Sequence, residues 1–215
     1  MAIAFDLAGT QYTASGTTNT QTLVPSGSAD FLIVYTMVPL ARTVSGITWN
    51  SVSLTSIDTQ SATGFKLQAW YLKSPATGSR SLVVTADSST EIYAGALFYS
   101  GTDITTQPDV SAKQNNASGT TITQTVTTVG DNSWLTCCTL ADAGGLAAST
   151  GSTTRGSILN TAFGVFDSNG AKSPAGSYSM LQTINNGNNA GIIVGVKVLA
   201  SGGATVSKLT LLGVS

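Results

Sequence analysis

Ten carboxylates are the chain's main stock of chemical groups: Asp6, Asp30, Asp58, Asp87, Glu91, Asp103, Asp109, Asp131, Asp142 and Asp167. Two of them facing each other could run a hydrolysis of the glycosidase kind without help from other residue types. Nearly all, however, stand beside Gly, Ser, Thr or Asn, the setting in which Asp bonds to nearby backbone and shapes a turn. Glu91, the only glutamate, is conspicuous for that reason alone. Asp167-Ser168-Asn169-Gly170 is a fragment of a calcium loop, but it lacks the trailing acidic ligand and reads more simply as a turn with Asn-Gly at its tip. No metal ion and no cofactor are expected.

Histidine is absent, which removes a His general base, a His-containing triad and imidazole metal ligands. Serines are plentiful, yet Gly-x-Ser-x-Gly does not occur, and Ser61 and Lys66 stand too far apart for Ser-x-x-Lys. Gly144-Gly145 and Gly202-Gly203 lack the lysine and the strand-to-helix context of a phosphate loop. The two cysteines are adjacent, Cys137-Cys138, inside an apolar segment where neighbouring side chains point to opposite faces, so buried free thiols are expected. No catalytic residue is assigned, and an enzyme is the reading ranked last. Aromatic rings are a different matter, because an exposed ring can stack on a sugar or a partner chain. Trp70 and Trp134 sit in apolar runs and read as core, whereas Tyr12, Trp49 and Tyr178 lie near turns or polar segments and are the candidate ligand or partner contacts.

The elements that would carry these residues are strands. Of 215 residues only 9% are charged, far below the roughly 25% of an ordinary soluble domain, while the hydrophobic share of 41% is normal. Thr and Ser fill the difference with about 60 positions, and β-branched Thr suits a solvated sheet face. Phe31 to Val38 and Trp134 to Leu140 are continuous apolar runs of the kind buried on both faces. Ile47 to Ile57 alternates on either side of Asn50-Ser51 and predicts a hairpin. Strands are further expected over 65–72, 82–85, 92–99, 121–129, 162–166, 176–184, 191–199 and 205–214, with one long low-complexity loop over 141–157. About a dozen strands with regular turns predict an all-β fold, an antiparallel two-sheet sandwich of jelly-roll type. It is read as a single domain, 1–215, with a peripheral C-terminal hairpin over 198–215.

Three segments resemble a known group when taken in order. They are Gly46-Ile47-Thr48-Trp49-Asn50-Ser51-Val52-Ser53-Leu54, Ala69-Trp70-Tyr71-Leu72-Lys73-Ser74-Pro75-Ala76-Thr77-Gly78, and Ala96-Leu97-Phe98-Tyr99-Ser100-Gly101-Thr102-Asp103. Together they resemble a β-sandwich module found in phage structural proteins and bacterial surface proteins. Ser51 stands where that group carries a hairpin glycine, and Thr102 where it carries valine. The resemblance implies the fold and no catalytic role.

The N-terminus has neither a basic region nor a long apolar core, so no secretory signal is read there, and no apolar run reaches the 18 or more residues of a membrane span. A net charge of −1, with no Lys or Arg before Arg42, supplies no field for nucleic acid. These features lead to one expectation: a virion protein of a bacteriophage, decorating the capsid or forming a tail or fibre subunit. Its partners would be copies of itself, in a homo-oligomer with a trimer favoured, and other virion proteins, with neither nucleic acid nor membrane among them. A carbohydrate-binding or receptor-binding module that meets a cell-surface glycan is the alternative.

Overall fold

A computed structural model describes residues 2–62, 64–158 and 162–199. Every element in it is a strand. In chain order these are β1 (Ala4–Leu23), β2 (Phe31–Pro39), β3 (Val44–Trp49), β4 (Val52–Ser53), β5 (Thr55–Ala62), β6 (Phe65–Lys73), β7 (Arg80–Ser100) and β8 (Val110–Asn116). They continue with β9 (Thr121–Thr127), β10 (Trp134–Ala141), β11 (Ala147–Ala148), β12 (Thr153–Ile158), β13 (Phe163–Asp167), β14 (Ser177–Thr183) and β15 (Asn189–Val196). All pairings are antiparallel. The all-β antiparallel class is therefore as expected from the alternation in the sequence.

The strands fall into three sheets where their spacing led to an expectation of two. The first follows the order β4-β3-β7-β2-β6-β5, with β1 also on β7, and is nearly closed. Its frame is a long ribbon. The first half of β1 pairs with Ile92–Ser100 of β7 and its second half with Arg80–Thr85, across register shifts between Thr13 and Thr18. On the other edge of β7, β2 takes Tyr93–Tyr99 and β3 takes Leu82–Ala86. The ribbon folds at the shifts, so that the β3 half lies over the β2 half around Val34, Ile47, Trp49, Leu82 and Phe98. The side-chain amide of Asn19, wholly buried, ties the fold by donating toward Gln11 O, Thr13 Oγ1 and Ile92 O at 3.0–3.4 Å.

The second sheet runs β12-β13-β10-β15-β8 and the third β11-β14-β9. One face of the second packs on the outside of the β2 half, where Phe31, Ile33, Tyr35 and Leu97 meet Cys138, Phe163, Val165 and Ile192. Its opposite face, with Leu135, Cys137, Phe166 and Ile193, packs on Val126 and Met180 of the third. Four β layers and three cores thus stack in one direction. Residues of β2, β10, β13 and β15 face apolar neighbours on both sides, the physical reason that their sequences are unbroken apolar runs.

Several sequence expectations change. Residues 4–23 form the second-longest strand, which the weak Thr/Gly pattern did not announce. Segments 82–85 and 92–99 are one 21-residue strand, held continuous by β1 alongside. The 141–157 segment is not all loop, since it holds β11 and the first part of β12. Of the expected C-terminal hairpin, Val198 bridges to Thr102 and Leu199 N–H donates to Gly101 O, while residues 200–215 lie outside those described.

Candidate functional site

The carboxylates act over longer distances than a local turn. Asp6 accepts from Ser26 N–H, Asp30 from Gly101 N–H and from the N–H and hydroxyl of Thr102, Asp109 from Val129 and Gly130 N–H, and Asp131 from Ala175 N–H. Each fastens one loop to a distant one. Asp103 is local: Thr105 and Thr106 donate both hydroxyls and both N–H groups to it, which holds its carboxyl well below the usual range. Asp167, in the calcium-like fragment, is wholly buried and already occupied. Its Oδ2 accepts from Arg155 Nε at 2.8 Å and from Tyr99 OH at 3.2 Å, and its Oδ1 from Asn169 N–H at 2.9 Å. Arg155 also lies over the Phe5 ring, 3.9 Å from its centroid, so this cluster joins β1, β7, β12 and β13. Among the described residues no three of His, Cys, Asp and Glu converge as a metal site would require.

Cys137 and Cys138 are buried free thiols, as expected. Burial pushes the Cys138 thiol up to about 12 and that of Cys137 well above its ordinary value. Neither is a nucleophile in the folded protein.

The three aromatic candidates separate. Trp49 is fully buried, with its ring edge on Phe98 (5.1 Å between centroids) and its Nε1–H donating to Ala76 O at 2.8 Å. It has no face to offer a sugar. Its position follows from the hairpin, because Trp49 alternates with Thr48 and takes the inward side of β3. Tyr178 is half-buried against the third core, and its hydroxyl donates to Pro174 O at 2.6 Å. Tyr12 is half-buried and forms a site. The register Tyr12↔Tyr93 sets the two rings 4.7 Å apart, and both hydroxyls donate to Glu91 Oε2, at 3.3 Å from Tyr12 and 3.0 Å from Tyr93. Burial and the neighbouring Glu91 raise both phenols above their ordinary value, so they remain donors across the physiological range. A half-open ring beside a carboxylate can accept sugar hydroxyls and stack on a sugar face.

A cleft of ≈350 Å³ opens near Asp30, between Ser74-Pro75, Thr102, Ile104 and Leu199. Its carboxylate is spent on the Gly101 and Thr102 donors, and the rest of its wall is small or apolar.

Sequence reading missed two features. The Tyr12–Glu91–Tyr93 group depends on the β1/β7 register, which no local pattern reveals. The rows of outward threonine on β9 and on the second half of β1 were visible as Thr-x-Thr-x-Thr, but there they signalled only strand.

No protein-family model, curated protein or solved structure matches the chain.

Proposed function

We propose that the protein is a non-enzymatic structural component of a bacteriophage particle, a capsid decoration or a tail or fibre subunit, located in the virion. It works through contacts with copies of itself, with a trimer favoured, and with other particle proteins. The observation that carries this reading is the order of the last eight strands. β8-β15-β10-β13 lie in one sheet, and β9-β14-β11 face them from the next. Numbered one to eight, this is 1-8-3-6 over 2-7-4, the order in which two Greek keys wind a jelly roll. The one departure is β12, which pairs with β13 instead of extending the sheet of β11. We read residues 110–196 as a jelly-roll sandwich on this basis, and the architecture is common among viral capsid and lectin domains. The step from architecture to role is by analogy; the scarcity of charge, which lets surfaces meet without desolvating ions, adds to it.

Purified particles test the reading: the protein is expected in them at a fixed copy number that is a multiple of its oligomeric state. A protein absent from particles, and monomeric by light scattering at high concentration, would sink it. The lectin side of the same analogy keeps a second reading, a glycan-binding or receptor-binding module, which the Tyr12–Glu91 pair favours. Glycan binding lost in Tyr12→Ala and retained in Trp49→Phe would select it.

A further inference from the structure

The two outermost layers of the stack present the same unusual surface. On the third sheet, β9 turns Thr121, Thr123, Thr125 and Thr127 outward, while Ile122, Gln124 and Val126 face the core. Opposite them in register stand Thr183, Leu181, Ser179 and Ser177 of β14. At the far end of the molecule, β1 turns Thr18, Thr20 and Thr22 outward, with Asn19 and Gln21 facing in. Thr85, Val83 and Ser81 of β7 stand opposite these, and Thr48 of β3 continues the row of Val83. Each face is therefore a grid of hydroxyl and methyl groups, spaced about 4.8 Å across strands and about 6.7 Å along them. Each has a single larger apolar side chain in its middle, Leu181 or Val83. No charged residue belongs to either grid.

We propose that these two faces dock on each other in successive copies of this chain, so that molecules stack end to end. The inference rests on the structural role proposed above and names a surface that would serve it. Three observations select a second copy as the occupant. The faces lie at opposite ends of one molecule, because three cores separate them in sequence from the β3 half to the third sheet. They match in chemistry, since hydroxyls can donate and accept in either direction across the joint. Neither buries an ion on docking, which removes the largest desolvation cost. Leu181 and Val83 supply the apolar centre and the hydroxyls the polar rim. The contact is heterologous: it adds copies end to end instead of closing on itself, and so differs from the trimer contact. Two seven-residue strands cover only a few hundred Å², well under the roughly 800 Å² per partner of a stable complex. Stacking is accordingly weak in dilute solution and becomes effective where many copies are held side by side.

Light scattering and sedimentation of the full chain over a wide concentration range test this with Thr20→Arg and Thr123→Arg, one exposed position on each face. The wild type is expected to grow in mass with concentration beyond its smallest species. Each variant alone is expected to stay at that smallest species, and an equimolar mixture to stop at twice its mass, because one intact joint remains. Unchanged thermal unfolding shows that the variants are folded; Thr22→Arg and Thr125→Arg replace them if it does not. Growth of both variants like that of the wild type would overturn the stack, as would a wild type that never grows. Loss in Thr123→Arg with none in Thr20→Arg would show instead a face that meets its own twin. If particles contain the protein but the variants behave like wild type, the stacking fails and the structural role stands; if particles lack it, the role itself fails.

Discussion

A carboxylate that collects hydroxyl and backbone donors has its charge stabilised by the fold, and its protonation then works against the fold. Asp103 is the clearest case, with Thr105 and Thr106 both closed on it. Its folded value lies below the unfolded value of about 4, so the stabilisation is fully present above that pH and is lost as the pH falls toward the folded value. Between pH 4 and pH 2 the wild type is expected to lose more stability in urea unfolding than Asp103→Asn, which has no proton to take up there. Equal losses would mean that the Thr105 and Thr106 bonds do not discriminate the charged form. At this scale the sequence showed which residues build turns, but not which distant donor each would meet. Asp30 and Thr102 are 72 residues apart, and only the paired ends of β2 and β7 bring them together.

Hairpins were the most legible elements. Asn50 and Ser51 both have positive φ, 49° and 67°, as a two-residue turn between Trp49 and Val52 requires. Serine pays a steric penalty there that glycine avoids, so Ser51→Gly is expected to raise stability by up to about 1 kcal/mol in denaturant unfolding. A loss would show that the Ser51 side chain has a role of its own. Packing between elements was not legible. Gly95 in β7 reads as an ordinary small residue, yet a Cβ there would come within 2.5 Å of Val165 Cγ1 on the facing sheet. Gly95→Ala is expected to cost about 1–3 kcal/mol by overpacking. Val165→Ala in the same chain should recover part of that loss, and a double-mutant cycle in urea gives the coupling; simple additivity would place the clash elsewhere. The ribbon of β1 and β7 was hidden for a related reason, since Thr, Gly and Gln strands show little alternation until a neighbour defines which face is inward.

Across the whole molecule the middle core decides cooperativity. It takes Phe31, Tyr35 and Leu97 from the first half of the chain and Trp134, Phe163 and Ile192 from the second, and Tyr35 OH donates to Thr136 O across it at 3.0 Å. Neither half can bury its share of that surface alone. Unfolding is expected as one transition, with near-ultraviolet and far-ultraviolet circular dichroism coinciding; two separated steps would show that the halves are independent units. The sequence by itself determined the strand-rich class, the inward and outward sides of the regular strands, the hairpin at Asn50-Ser51 and the burial of the thiols, because these follow from alternation, turn chemistry and apolar content within a few residues. Tertiary structure alone decided the fold-back of the β1/β7 ribbon, the burial of Trp49, the meeting of Tyr12 with Glu91 and the placing of two uncharged threonine faces at opposite ends. Those depend on register between strands up to 80 residues apart, and on which of two equally apolar faces finds a partner.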